Sequence, residues 1–395
     1  MLCVFGLINS SAVFESYFAA HQLAEYSPSQ RGWVFSLNLF CVFFLGLQVG
    51  PVYDRFGPRV PVALGSILVV GSLFLLGFCT TYCQIVLAYA FLGGSGGALL
   101  LSPSYGCIAH FFNVRRGLAT GIATTAGGVG GVVFPLVLKR LLPALGFQWA
   151  TRIMGVILLV VTMPANLCLR SRLPPRTKEP LRTVVPDFGI LRDHRYALAS
   201  MATFFMEWGL FIPVTFIVSF AASHGQDPTS SYILLSTMNA GSVAGRCLPG
   251  LAADSMGPFN VIILTVALCT GSTLGLWLLA GCSRAMLIAF AVVFGFASGS
   301  NLGLGPVCLG QLCDVRDYGR FLATANFVAS FGSLTSVPIG GALLGMGGGV
   351  RGEDGSDELG WTALILFSGC SYALALVCYV SARVLAVGWG LRTKF

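Results

Sequence analysis

An arginine lies inside one of the long apolar stretches of the sequence. Arg246 stands about 16 residues into the stretch 231–252, and a guanidinium at the centre of a bilayer costs roughly 2.5–3.5 kcal/mol. It should therefore face water or a partner, and its planar fork of N–H donors suits a carboxylate. We predict that Arg246 binds an anionic ligand. The alternatives are an ion pair that locks two helices and a side chain that reaches the membrane surface.

Two carboxylic acids also lie within apolar stretches. Glu207 stands about eleven residues, or roughly 16 Å along a helix, into the stretch 196–220, and Glu15 lies nearer the end of the first stretch. Burial disfavours the charged form of a carboxyl group, so such an acid can bind and release a proton. We predict proton coupling at Glu207 first and Glu15 second. The alternative is a permanently protonated acid hydrogen-bonded to a helix backbone.

Further polar side chains complete the set of candidate ligands. Arg116 begins an apolar stretch rich in glycine. Its position is equally consistent with ligand binding and with an anchor at the membrane surface. Amide and hydroxyl groups elsewhere in apolar stretches are suited to line a cavity, and these residues are Asn9, Ser10, Asn301 and Asn326.

The sequence GPVYDRFGPR at 50–59 combines glycines, an acid and two arginines at the end of an apolar stretch. The glycines allow close packing and a turn, and the arginines favour the cytoplasmic side. Asp54 suits a basic partner or the N-terminal end of a neighbouring helix, a contact worth about 0.3–2 kcal/mol. We therefore predict a gate here; the alternative is a topology signal alone.

Parts of the sequence recur in its second half. GLAADSMG at 250–257 repeats GPVYDRFG at 50–57, and VRDYGRFLATA at 315–325 repeats VRRGLATG at 114–121. Ser255 replaces the arginine in the second copy, so we expect a weaker contact from Asp254. Two repeated halves are typical of transporters with a pathway between them. The predicted gate residues are Gly50, Asp54, Arg55, Gly57, Arg59 and Asp254.

Composition excludes a water-soluble globule. Of 395 residues, 55% are hydrophobic and only 10% charged, against about 25% charged in soluble domains. The apolar stretches are too long and continuous for a transmembrane β-barrel, so we predict an all-α polytopic membrane protein. The twelve predicted spans are 2–22, 32–50, 60–79, 83–107, 117–138, 149–169, 196–220, 231–252, 258–280, 285–308, 321–344 and 361–386.

The one long polar connection divides the predicted spans six and six. We predict an N-terminal six-helix bundle at 1–169, a cytoplasmic linker at 170–195 and a C-terminal six-helix bundle at 196–395. Most Lys and Arg residues between spans fall on the side that holds this linker, so both termini are predicted to be cytoplasmic.

Several other classes of function find no support in the sequence. The 13 cysteines lack repeated CxxC spacing and the four histidines lack ligand spacing, so we predict no metal site. The net charge of +8 is dispersed, which argues against nucleic-acid binding. No Walker motif for ATP occurs and no cofactor is predicted. A membrane enzyme would need a nucleophile with a base at one depth, and we find none.

The motif at 50–59 resembles the loop between the second and third helices of the major facilitator superfamily. HFFNVRRGLATGIATTAGGVGG at 110–131 looks like the fifth-helix entry of its monocarboxylate transporter family, and MNAGSVAGRCLPGLAADSMGPFN at 238–260 resembles the fungal branch. The resemblance implies a twelve-helix major facilitator fold, a substrate-binding arginine at Arg246 and a second one at Arg116. Related chains also carry a segment before the first helix, so we expect this N-terminus to be shortened.

The departures from that family bear on the cargo. Animal members have an aspartate one turn before the eighth-helix arginine, where this sequence has Ser242, and a first-helix lysine, where it has Asn9 and Ser10. Proton-coupled uptake of lactate or pyruvate is therefore not expected. A larger or less charged cargo, anchored by hydrogen bonds and stacking, is favoured.

The sequence thus predicts a secondary active transporter of a small organic anion or metabolite, working by alternating access. The two bundles would rock about a water-accessible chamber that holds Arg246. An exporter of a fungal secondary metabolite and a non-transporting receptor on a transporter fold are the alternatives. The expected partners are a small-molecule substrate and the lipid bilayer. We expect a monomer in the plasma membrane rather than in a vacuolar or other internal membrane.

Overall fold

Helices form the regular secondary structure of the chain. The computed structural model describes residues 1–112, 115–172, 188–226, 228–346 and 356–390, and no residue in these ranges belongs to a β-strand. The helices are, in order, α1 (Leu2–Asn9 with Ser11–Ala20), α2 (Pro28–Phe44 with Gly46–Phe56), α3 (Arg59–Leu76), α4 (Tyr82–Phe111), α5 (116–145), α6 (147–168), α7 (His194–Ser223), α8 (Pro228–Met256), α9 (Pro258–Trp277), α10 (Arg284–Gln311), α11 (Tyr318–Met346) and α12 (Ser356–Val387).

The helix lengths match a membrane. Among the described residues, nine helical segments are long and apolar enough to cross one, or ten if the bent pair in α1 counts as one span. One segment, Arg116–Cys168, has 53 residues and breaks at Gly146, whose φ is 75°, so it contains both α5 and α6. Helix α8 is more polar, but its 29 residues extend about 43 Å. The predicted all-α, twelve-helix architecture is confirmed.

Two glycine–proline pairs separate helices at equivalent points of the sequence repeat. Gly57 and Gly257 have φ of 79° and 96°, a backbone conformation that glycine adopts without strain. Pro58 precedes α3 and Pro258 begins α9, where a missing N–H has little cost. The repeat at 50–57 and 250–257 is therefore also a repeat of backbone structure.

The chain divides into two compact units. Unit 1 comprises Met1–Asn113, Ala123–Gly189 and Cys313–Ser330, and unit 2 comprises Val114–Ile122, Ile190–Leu312 and Phe331–Phe395. The start of α5 thus belongs to unit 2, and the start of α11 belongs to unit 1. The domain bounds predicted from the sequence do not include this exchange and stay a prediction. Residues 173–187 of the predicted linker lie outside the described residues.

Each unit has its own buried aromatic core. In unit 1 the ring of Phe147 lies 6.5 Å from that of Phe14 and 5.6 Å from that of Phe18. In unit 2 the ring of Trp277 stacks on Phe290 at 5.1 Å, and both side chains are fully buried. Close packing of this kind holds the helix backbones in place, and those backbones position the polar groups described next.

Candidate functional site

Helix α8 packs on α10 through contacts between backbones. A Cβ atom on Gly245 would overlap the carbonyl of Phe296, and one on Gly299 would lie 2.5 Å from the carbonyl oxygen of Ser242. Small residues at such a crossing let two helices approach closely and fix their rotation. Because Arg246 directly follows Gly245, its place in unit 2 is set by the backbone.

The first turns of α5 pack on the other side of α8. A Cβ atom on Gly121 would overlap the carbonyl oxygen of Arg246, and one on Gly117 would lie 2.6 Å from the carbonyl oxygen of Gly250. The Arg246 side chain is 7% exposed. The arginine predicted to bind an anion is therefore buried in unit 2, on a helix held between α5 and α10.

Asp254, two turns beyond Arg246 on α8, binds the N-terminal end of α5. Its two carboxylate oxygens accept hydrogen bonds from the backbone N–H groups of Gly117 and Leu118, at 2.8 and 3.1 Å. The first N–H groups of a helix have no partner within the helix, and the helix dipole favours a negative charge there. We call this contact the second clasp.

Asp54, at the end of α2, makes the corresponding contact in unit 1. Its carboxylate accepts hydrogen bonds from the N–H groups of Gly319 and Arg320, at 3.1 and 2.8 Å, in the first turn of α11. A Cβ atom on Gly50, one turn earlier, would overlap the carbonyl oxygen of Gly319. This first clasp has the geometry expected from the sequence for Asp54, an acid at a helix N-terminus.

The two clasps are related by the internal repeat. Residues Asp54 and Asp254 lie 200 positions apart, but the N–H groups that they bind lie 202 apart. The sequence match instead pairs Ala119 with Ala323, which are 204 apart. The carboxylates bind N–H groups of the first turn, so the two halves of the repeat are aligned at this point by the starts of α5 and α11.

Both clasps contain two hydrogen bonds, although Arg55 follows Asp54 and Ser255 follows Asp254. Arg55 places its guanidinium 5.2 Å from the ring of Phe56, and its Nε and Nη1 atoms are buried without a hydrogen-bond partner among the described residues. It therefore does not reach the clasp, and the expected weakening through Ser255 has no contact to support it. Arg59 is exposed at the start of α3.

Replacing Gly50 by alanine tests whether the first clasp must form during the cycle. The added Cβ overlaps Gly319, and overpacking of this kind costs typically 1–3 kcal/mol, so the clasped state should lose population and transport should fall about tenfold. The rate of cargo transport by purified protein in vesicles measures this. Gly71→Ala, in open space on α3, is the matched control, and equal rates for both variants would contradict the prediction.

Arg116 binds the C-terminal end of α10. Its Nη1 donates a hydrogen bond of 3.2 Å to the carbonyl oxygen of Gly310, and the side chain is 7% exposed. Basic groups at the C-terminal end of a helix bind its last carbonyls. Along α5, Arg116 is one residue from the second clasp and five from the contact of Gly121 with Arg246, so it belongs with the clasp.

Glu207 belongs to a polar cluster inside unit 2. The side chain is 4% exposed, and its Oε2 atom is buried without a hydrogen-bond partner among the described residues. Tyr372 and Tyr379 of α12 lie close enough to interact electrostatically with it, and Tyr372 also faces Asn301 of α10 and Cys269 of α9. The Asn301 amide and the Tyr372 hydroxyl are buried in the same cluster.

The remaining candidates lie in unit 1. Glu15 forms an ion pair with Arg31, with 3.4 Å between oxygen and nitrogen. Asn9 is exposed, and its amide donates to the Gly127 carbonyl oxygen at 3.1 Å. Ser10 is fully buried, and its hydroxyl donates to Gly6 of its own helix. Asn326 is half-buried. Of the predicted site residues, the structure groups Glu207 with Asn301, and Arg116 with Asp254.

Sequence reasoning missed Tyr372 and Cys269. Both lie in apolar stretches of mixed composition where a phenol and a thiol are ordinary core residues. A weak signal was present, since α12 places Ser368, Tyr372 and Tyr379 at helical spacing, and the Ser368 hydroxyl donates to the Gly209 carbonyl oxygen of α7. That pattern marks the face of α12 that packs on α7.

The sequence also matches known proteins over its whole length. The profile of the Major Facilitator Superfamily matches residues 1–301. MFS-type transporter 1 of Ophiocordyceps sp. is 35% identical over 100% of this chain and 85% of its own length. The chain belongs to the major facilitator superfamily. The Aspyridones efflux protein apdF of Emericella nidulans is 34% identical, over 88% and 70% of the two chains. Riboflavin transporter MCH5 of Saccharomyces cerevisiae is 31% identical, over 98% and 77%.

Solved structures agree with the fold. FucP, the Escherichia coli fucose:proton symporter, superposes with a TM-score of 0.72 over 96% of this chain and 97% of its own, at 13% sequence identity. The twelve helices thus have the fold of this superfamily. This major facilitator is an integral, multi-pass membrane protein and a secondary transporter, and its relatives and its fold are those of transporters.

Proposed function

We propose that this major facilitator moves a small organic anion or metabolite across the membrane by alternating access. The pair of clasps carries the proposal. Each joins an acid at the end of α2 or α8 to the first turn of α11 or α5, with glycine contacts one turn away. A contact made by one carboxylate and two N–H groups can open because water can bind both partners once they separate. Two such contacts related by a repeat suit a gate that opens and closes.

The cargo proposed for this transporter carries a carboxylate and a larger polar or aromatic body. Arg246 would bind the carboxylate through its planar fork. The fungal branch of the monocarboxylate transporter family is the proposed subfamily, since Ser242 replaces the acid of its animal members. One relative is named for efflux of aspyridones and another for riboflavin, so larger metabolites are favoured over lactate. Because the aspyridones relative is named as an efflux protein, export of a secondary metabolite is the second candidate function.

Transport by purified protein in sealed vesicles tests the proposal. The panel contains short monocarboxylates, aromatic carboxylates, their neutral esters and riboflavin, each loaded either inside or outside. We expect saturable exchange of at least one carboxylate, with no movement of it in protein-free vesicles. Failure of every compound in both directions would contradict the cargo class, and saturable transport of the esters alone would contradict an anionic cargo.

Proton coupling is proposed to use Glu207. A carboxyl buried with one oxygen unpartnered, near two phenols and an amide, can exchange a proton without a fixed ion pair. Glu15 is less suited, because Arg31 already pairs with it. The four helices that supply the Glu207 cluster all belong to unit 2, so a change of its protonation would alter their packing directly.

Glu207→Gln is expected to remove the effect of a pH gradient on transport. Glutamine keeps the size and one oxygen but cannot bind the coupling proton. Wild-type uptake should rise several-fold when the cargo side is made acidic, while the variant should transport equally with and without the gradient. Radiolabelled cargo uptake at fixed cargo concentration measures both. Glu15→Gln is the matched control and should keep the wild-type response; loss of the response there instead would move coupling to unit 1.

The proposed setting is the plasma membrane, with both termini in the cytoplasm. The support is the excess of Lys and Arg in the connections on the side of the 170–195 linker. A monomer is proposed as the working form. Nucleic acid is not proposed as a partner, since the basic residues are dispersed among short connections.

A further inference from the structure

Helix α6 carries one charged residue, and it lies on the face of the helix that is exposed. The exposed side chains of α6 follow helical spacing: Trp149, Val156, Val160, Met163 and Leu167 are each between 48% and 76% exposed. Arg152 is on the same face, three residues after Trp149, and is half-exposed. In a membrane protein this apolar face meets lipid.

Two aromatic rings hold the guanidinium of Arg152. Its central carbon lies 4.7 Å from the ring centre of Phe78, just beyond α3, and 5.1 Å from that of Trp149. Phe78 is 61% and Trp149 57% exposed. Helices α3 and α6 are packed tightly beside this cluster, because a Cβ on Gly77 would lie 2.8 Å from the Thr151 hydroxyl. The rings fix the plane of the guanidinium and leave its N–H edge to the surroundings.

The sequence on either side of Arg152 contains no carboxylate. The sequence contains no Asp or Glu between Asp54 and Glu179, although Lys139 and Arg140 add two more cations to the same α5–α6 hairpin. Arg152 also has no hydrogen bond or ion pair within the described structure. Arg152 is about six residues, or roughly 9 Å along the helix, from the break at Gly146, so it lies near the end of α6, where a membrane-spanning helix approaches the headgroup region.

We propose that Arg152, Phe78 and Trp149 form a binding site for the phosphodiester of a lipid headgroup. The guanidinium fork matches two phosphate oxygens, and the tryptophan is suited to the membrane interface. Lys139 and Arg140 make an anionic headgroup preferred over a zwitterionic one. A bound lipid would hold the end of α3 to the start of α6, both in unit 1.

Lipid binding to the purified full-length protein in detergent tests this site. Native mass spectrometry counts bound phosphatidylglycerol or phosphatidylcholine, and thermal unfolding gives the shift in Tm that each lipid causes. We expect more phosphatidylglycerol than phosphatidylcholine on the wild type, and roughly fivefold lower phosphatidylglycerol occupancy for Arg152→Gln. Arg152→Lys should lie between the two. Arg284→Gln, which removes an exposed arginine of unit 2, should retain wild-type binding.

Three outcomes would overturn the site. Equal lipid occupancy for the wild type and Arg152→Gln would show that the guanidinium does not hold a headgroup. An equal rise in Tm from inorganic phosphate would show a free-anion site. Loss of binding in Arg284→Gln to the same degree would show a nonspecific charge effect. Occupancy is counted on folded protein, so a lower Tm of a variant does not obscure the result.

Discussion

Arg246→Ala is expected to reduce kcat/KM for a carboxylate cargo about 100-fold, and Arg246→Lys about tenfold. A hydrogen bond to a charged group contributes roughly 1.5–3 kcal/mol, and a guanidinium makes two in parallel, whereas lysine keeps the charge but loses the fork. The side chain is buried, and the backbone around it is packed against α5 at Gly121 and against α10 at Gly245. Initial uptake rates at several cargo concentrations give kcat/KM for each variant.

Two comparisons separate cargo binding at Arg246 from a structural role. The neutral ester of the same cargo should be transported equally by the wild type and Arg246→Ala, because it has no charge to lose. Arg383→Ala removes another buried arginine, one that donates to the Gly390 carbonyl oxygen at 2.8 Å, and should affect acid and ester alike. If Arg246→Ala also affects both alike, the arginine is a helix-locking group and not a ligand.

The sequence predicted helices better than it predicted contacts. Hydropathy located all twelve helices, yet most of them extend a few residues past the apolar stretches, since a helix continues into the headgroup region where polar residues are tolerated. The sequence did not locate the break between α5 and α6. Gly146 has a positive φ, but among 50 glycines it is not distinguishable from those that serve packing.

Residue types indicated which groups were unusual, but not what they touch. Asp54 was expected to meet either a basic partner or the N-terminal end of a helix, and in the structure its carboxylate binds N–H groups in the first turn of a helix. The sequence did not show which helix each acid binds. Asp54 binds α11 across 265 positions of the chain, and Asp254 binds α5 across 137 positions. Likewise, the sequence made Glu15 a candidate for proton coupling beside Glu207, and only the structure shows its ion pair with Arg31. Ser10 looked available until its hydroxyl was found bonded within its own helix.

Asp54→Ala is expected to expose the start of α11 to hydrogen exchange, and Asp254→Ala the start of α5. Each substitution removes the acceptor of two N–H groups, a contact worth about 0.3–2 kcal/mol, so exchange there should be roughly 2–30 times faster. Peptides covering 316–325 report on the first clasp and peptides covering 115–125 on the second. The clasps lie in different units and share no residue, so exchange of both peptides in each variant separates a local increase from one that reaches the other clasp.

The double variant tests whether the two clasps open as one gate. If they open independently, Asp54→Ala with Asp254→Ala should show only the two local increases already seen in the single variants. If the clasps open together, as alternating access requires, each single variant should also raise exchange at the other clasp, and the double variant should raise both by more than the sum of the two effects. Asparagine variants keep one acceptor oxygen and lose the charge, so they should show smaller increases. Unchanged exchange in both alanine variants would mean that the glycine contacts, not the carboxylates, hold the helix ends.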